Sequence, residues 1–71
     1  MPQDEIIFIV EDSEEGGLLA RALDHAIFTE ADDMDHLRRM ARDAVTCHFA
    51  DAATRPRLIR LHYVRDEVIA T

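Results

Sequence analysis

The chain has only two glycines, and they stand side by side at Gly16 and Gly17. Just upstream runs Ile6-Ile7-Phe8-Ile9-Val10, a β-branched and aromatic stretch too short for a helix. Such a run reads as a strand that is central in a sheet or buried on both faces. Paired glycines readily adopt the positive φ of hairpin turns. The chain is therefore predicted to reverse across the acidic knot Glu11-Asp12-Ser13-Glu14-Glu15 and the glycines. Leu18 to Leu23 becomes the second strand, because the six residues between Gly17 and Asp24 are too few for a helix. After a turn at Asp24-His25, Ile27-Phe28-Thr29 reads as a short third strand.

The next segment changes period. Met34, Leu37, Ala41, Ala44, Val45 and His48 or Phe49 recur at steps of three and four, the apolar stripe of an amphipathic helix. Asp32 or Asp33 can cap its first-turn amides, and Asp35 adds favourable negative charge there. Opposite the stripe, Asp35–Arg39 and Arg39–Asp43 have the i,i+4 spacing of helical ion pairs. The helix is predicted over about 33–52, because Pro56 disfavours helical geometry at Arg55. From Leu58 to Val64 the pattern alternates, with Ile59, Leu61 and Tyr63 on one face and Arg60 and His62 on the other. The expected fold is α+β: a small antiparallel sheet in the order β-β-β-α-β, with one long helix packed on one face. It forms a single domain over residues 1–71, frayed at 1–5.

A core of this size supplies only about 3–5 kcal/mol of net stability. The single cysteine allows no intramolecular disulfide. A sheet with two open edges and little core is expected to pair with a second chain, as a homo-oligomer.

Charge is acidic overall and unevenly laid out. The net is −7, from fifteen acids against eight arginines. Residues 1–33 carry ten acids against Arg21 alone, a net of −9, whereas residues 34–71 carry five acids against seven arginines, a net of +2. An acidic front half is unsuited to phosphate neutralisation. It suits encounter with a basic protein. The N-terminus Met1-Pro2-Gln3-Asp4-Glu5 is acidic where a secretory leader is basic. The longest apolar run is the five residues from Ile6 to Val10, far below the ~20 of a membrane span. A cytoplasmic protein with no membrane association is expected.

Residues capable of chemistry do not converge in sequence. His36 and Cys47 share a helical angle, but they stand eleven residues apart, roughly 16 Å along the axis. Cys47 and His48 diverge by about 100° on a helix, and no pair of His or Cys has metal-ligand spacing. Cys47 is expected to be a small buried hydrophobe and His48 a core or interface histidine. No catalytic residue, cofactor or metal is expected, and a cofactor cleft does not fit in a chain of this length. Arg55, Arg57, Arg60 and Arg65, with His62 on the same strand, form the only basic cluster. They offer an alternative face for RNA or another ligand.

The stretch Phe8 to Val45 resembles the N-terminal partner-binding domain of HicB-type antitoxins. The matching pieces, in order, are Glu11 to Gly17, then Leu18 and Ala20, then Thr29-Glu30-Ala31-Asp32-Asp33, and finally Arg42-Asp43-Ala44-Val45. The segment Leu58 to Arg65 also resembles small HicB-like proteins. Three features depart from the pattern: Leu18 replaces an aromatic residue, Leu23 to Ala26 replace a Pro-x-Leu-Pro-Gly turn, and Ala31 replaces a glycine. The resemblance implies a non-catalytic interaction module that binds a small basic ribonuclease toxin of the HicA type. The DNA-binding domain of such antitoxins has no counterpart among these residues, so DNA binding is not expected. Charge complementarity then singles out Asp12, Glu14 and Glu15 as partner contacts.

Overall fold

A computed structural model describes residues 4–71. Four strands and one helix follow in the order β1 (Glu5–Asp12), β2 (Leu18–Ala22), β3 (Phe28–Ala31), α1 (Met34–His48) and β4 (Leu58–Val64). They form one sheet of spatial order β3-β2-β1-β4. The α+β class and the β-β-β-α-β order match the expectation. The sheet itself is mixed rather than antiparallel: β1–β2 and β2–β3 are antiparallel, but β4 runs parallel to β1. The cause is geometric. The helix carries the chain across the sheet from β3, and β4 then enters beside β1 in β1's own direction.

The β1 run is central, as its composition suggested, but it alternates rather than being buried on both faces. Ile6, Phe8 and Val10 point to the helix side and are 2% exposed or less, whereas Ile7 and Ile9 are half-buried on the open side. With Leu18, Ala20, Ile27 and Ala31 they meet Leu37 and Val45 from the helix, forming the core. The helix sits over β3 and β2. Ile59, Leu61 and Tyr63 on β4 are consequently only half-buried.

The glycine turn forms as predicted. Gly16 and Gly17 have φ of 95° and 81°, and the loop closes through Ser13 N–H to Gly17 O at 3.0 Å and Gly16 N–H to Ser13 O at 3.1 Å. At Asp24, φ is 65°, which lets a non-glycine make the second turn because aspartate tolerates the left-handed region.

Asp33 caps the helix, its carboxylate accepting from the His36 N–H at 2.8 Å. The His36 Nδ1 in turn accepts the Asp32 N–H at 3.2 Å, a reciprocal arrangement like a capping box. The helix ends at His48, four residues short of the predicted 52. Asp51 supplies the reason, because its side chain takes the Ala53 N–H and its carbonyl takes the Thr54 N–H and hydroxyl. That local turn competes with helix continuation. Arg55 then donates to the Phe49 and Ala50 carbonyls at the helix end.

On the helix surface the expected Asp35–Arg39 and Arg39–Asp43 pairs are not among the ion pairs; Asp35 is instead paired with Arg38, one turn position away. Cys47 is exposed rather than buried. His48 is also exposed, and it packs edge-on against Phe49 and His25 at ring separations of 4.8 and 5.8 Å. Of the residues expected to fray, 1–3 lie outside those described. Asp4 and Glu5 are tied to Arg57 and Arg60.

Candidate functional site

The parallel β1–β4 contact settles where the unequal charge goes. Its register sets Glu5 beside Leu58 and Glu11 beside Val64, so the acids of the front half lie along the arginines of the back half. Arg57 donates to Asp4 at 2.8 Å. Arg60 donates to Glu5 through two guanidinium nitrogens. Arg65 donates to Asp12 at 3.0 Å, and the Tyr63 hydroxyl donates to the same carboxylate. On the neighbouring strand, Arg21 lies 4.0 Å from Glu11.

These bonds stabilise the ionised acids. The Arg60 hydrogen bond holds the Glu5 carboxyl below its usual pKa, against a smaller opposing effect of desolvation. For Asp12 the Arg65 hydrogen bond contributes most and the Tyr63 hydroxyl adds to it. The Arg60 and Arg65 guanidinium groups are raised correspondingly, mainly by the same hydrogen bonds. All of these groups are at the surface, so each pair adds little to stability by itself.

The three predicted partner contacts therefore separate. Asp12 ends β1 and is occupied by Tyr63 and Arg65, whereas Glu14 and Glu15 sit exposed in the turn with no ion pair among the described residues. The alternative basic face also separates. Arg57 and Arg60 are neutralised by acids, Arg55 is spent on helix-end carbonyls, and His62 lies exposed beside Ile9 with no ion pair among the described residues.

The fold adds residues that sequence spacing did not select. Gly17 packs so closely on the β3–α1 junction that a Cβ there would stand 2.6 Å from the Ala31 carbonyl oxygen and 3.6 Å from the Asp32 Cα. This contact brings the β1–β2 turn next to the helix start. A shallow depression there is lined by Ser13, Gly16, Glu30, Asp32 and His36. Glu14 and Glu15 thus share one end of the molecule with Glu30, Asp32 and Asp35, all of them exposed. The available signal was the hairpin itself: pairing Leu18 with Ala31 across β2–β3 places residues 13–17 beside residues 30–33.

Such a surface can attract and orient a cationic partner. Among the described residues no three His, Cys, Asp or Glu side chains converge as a metal site, and no helix is long and apolar enough to cross a membrane.

Neither a protein-family model nor a solved structure matches the chain. Two curated proteins do. A UPF0150 protein of Thermotoga maritima is 40% identical over 68 residues, covering 96% of this chain and 94% of its own length. A UPF0150 protein of Archaeoglobus fulgidus is 47% identical over 55 residues, covering 78% of this chain and 80% of its own. With that identity extending over almost its whole length, the chain belongs to the UPF0150 family.

Proposed function

We propose that this chain is a non-catalytic protein-interaction module of the cytoplasm that binds a small basic protein. A ribonuclease toxin of the kind neutralised by HicB antitoxins is the partner that the motif resemblance suggests. The observation carrying the reading is the unbalanced acidic end. Half of the ten front-half carboxylates, those of Asp4, Glu5, Glu11, Asp12 and Asp33, are consumed by arginines or by capping, while Glu14, Glu15 and Glu30 have no cationic partner among the described residues. Surface charge that the fold does not use is available for steering a partner of opposite sign.

The rival reading, a stand-alone ligand- or RNA-binding regulator acting through Arg55, Arg57, Arg60 and His62, is weakened by the bonds those arginines already make. Nucleic-acid affinity rests on cations free to replace counterions.

Co-purification from the host separates the two. Recovery of a small basic ribonuclease supports the module. Salt-sensitive retention of RNA without such a protein would favour the rival. With a partner in hand, Glu14→Arg/Glu15→Arg should slow association strongly at low salt and little at high salt. An unchanged low-salt rate would remove the turn from the interface.

A further inference from the structure

The two edges of the sheet differ. β3 is four residues long, and the short length of such an edge protects it. β4 is seven residues long, contains no proline, and among the described residues pairs only with β1, on its inner side. Its outer edge presents unpaired backbone groups, a template for another strand. The exposed side chains on this strand include Leu58 at 59% and Val64 at 37%.

The order of residues along β4 specifies which strand fits. Opposite residues of an antiparallel pair point to the same face. A second copy of β4, laid antiparallel about a two-fold axis through Leu61, would pair all seven residues. Leu58 would then face Val64 of the second copy, Ile59 would face Tyr63, Arg60 would face His62, and Leu61 would face itself. Every apolar residue of the strand meets an apolar or aromatic one. Centring on Arg60 or on His62 instead would shorten the pairing and set a like residue against itself, arginine in the first case. Arg60 is already paired with Glu5 of its own chain, so it brings no uncompensated charge to the seam.

Two further features agree. The same register carried past the strand ends sets Arg57 opposite Arg65 of the second copy, each already held by its own carboxylate, Asp4 and Asp12, and sets Glu67 opposite Arg55, an opposite-charge pair. In addition, the helix lies over β3 and β2, so two copies with helices on the same face do not collide at the seam. The gap between α1 and β4, lined by Met34, Arg38, Ala41, Arg42, Ile59 and Leu61, would join its counterpart as a trough floored by half-buried side chains.

We infer that the protein is a two-fold dimer in which β4 pairs antiparallel with β4 of a second copy, centred on Leu61, making one continuous eight-stranded sheet. This goes beyond partner binding at the acidic end. It uses the opposite edge of the sheet and needs no second protein.

Position-specific cross-linking of the full chain tests it. In a Cys47→Ser background, Leu61→Cys should oxidise readily to a disulfide-linked dimer, since directly opposed Cβ atoms lie about 4.5–5.5 Å apart. Ile59→Cys should not, because its own copy would be four residues displaced, roughly 14 Å away. Leu58→Cys/Val64→Cys uses exposed sites that leave the core intact, and it should cross-link between copies. The unmodified protein should sediment at twice its 8.1 kDa chain mass. Sedimentation as a monomer, or cross-linking no faster at 61 and at the 58/64 pair than at 59, would overturn the inference.

Discussion

Gly16 and Gly17 look equivalent in sequence, yet they should respond very differently to alanine. Both have left-handed φ, at 95° and 81°, so Gly→Ala at either position imposes backbone strain of about 1–2 kcal/mol. At Gly16 nothing lies within 4 Å of the new methyl, and strain is the whole cost. At Gly17 the methyl would stand 2.6 Å from the Ala31 carbonyl oxygen. That oxygen belongs to backbone in a paired strand and cannot rotate away. Relieving the overlap requires moving the turn off the β3–α1 junction, at a further cost of about 1–3 kcal/mol by analogy with overpacking. Against a net stability of about 3–5 kcal/mol, Gly17→Ala removes about two fifths or more. A loss of 1 kcal/mol lowers the Tm of a domain this size by about 4–8 °C. Thermal unfolding followed by circular dichroism should therefore show a drop of several degrees for Gly16→Ala and more than about 10 °C for Gly17→Ala. Equal drops would show that φ alone sets the requirement and that the close approach to Ala31 carries no weight.

Three further outcomes follow from the same geometry. Asp33→Ala removes the acceptor at 2.8 Å from the His36 N–H and should cost about 1 kcal/mol of stability, read from the urea midpoint; Asp32→Ala, which leaves that cap in place, should cost less. Folding lowers the carboxyl pKa of Glu5 and Asp12, so their contribution is present above the unfolded value of about 4 and disappears as pH falls through the folded values. The urea midpoint of Glu5→Gln/Asp12→Asn should accordingly decline less than that of the parent between about pH 5 and pH 3, and parallel curves would deny the two acids a role. Tyr63→Phe removes one of the two donors to Asp12, so the Asp12 pKa measured by NMR titration should rise toward its ordinary value while Arg65 keeps it from arriving there.

Local chemistry is what made the sequence legible. The Ile6–Val10 run, the glycine pair and the three- and four-residue steps of the helix each draw on neighbours in the chain, and each element formed within a few residues of its predicted place. The departures came from contacts that only the assembled sheet defines. Alternation marks Leu58–Val64 as a strand but says nothing about its direction, and the parallel pairing with β1 is what commits Asp12 to Arg65 and Tyr63. The early helix end was readable in principle, since Asp51 and Thr54 have the spacing of a side-chain-stabilised turn. Pro56 drew the boundary too late. At the candidate site, Glu14 and Glu15 were visible as a charge knot. Glu30 and Asp32 join them only because the β2–β3 hairpin folds their part of the chain back onto the turn.

The parallel contact between β1 and β4 also fixes the order in which the molecule can become complete. β1 begins at Glu5 and its partner on one side begins at Leu58, so this pairing closes the longest loop in the sheet. Closing that loop carries the largest entropic cost of any strand pairing here. The β1–β2–β3 meander and the helix can gather around Phe8, Val10 and Leu37 first, with β4 arriving last and the arginine–carboxylate bonds closing behind it. Until it does, the Ile6–Val10 strand is itself a bare sheet edge, made of five consecutive β-formers without a charge. During synthesis, and in any chain truncated before residue 58, that edge is the segment most prone to aggregate, so β4 protects the folding chain as well as completing the native sheet.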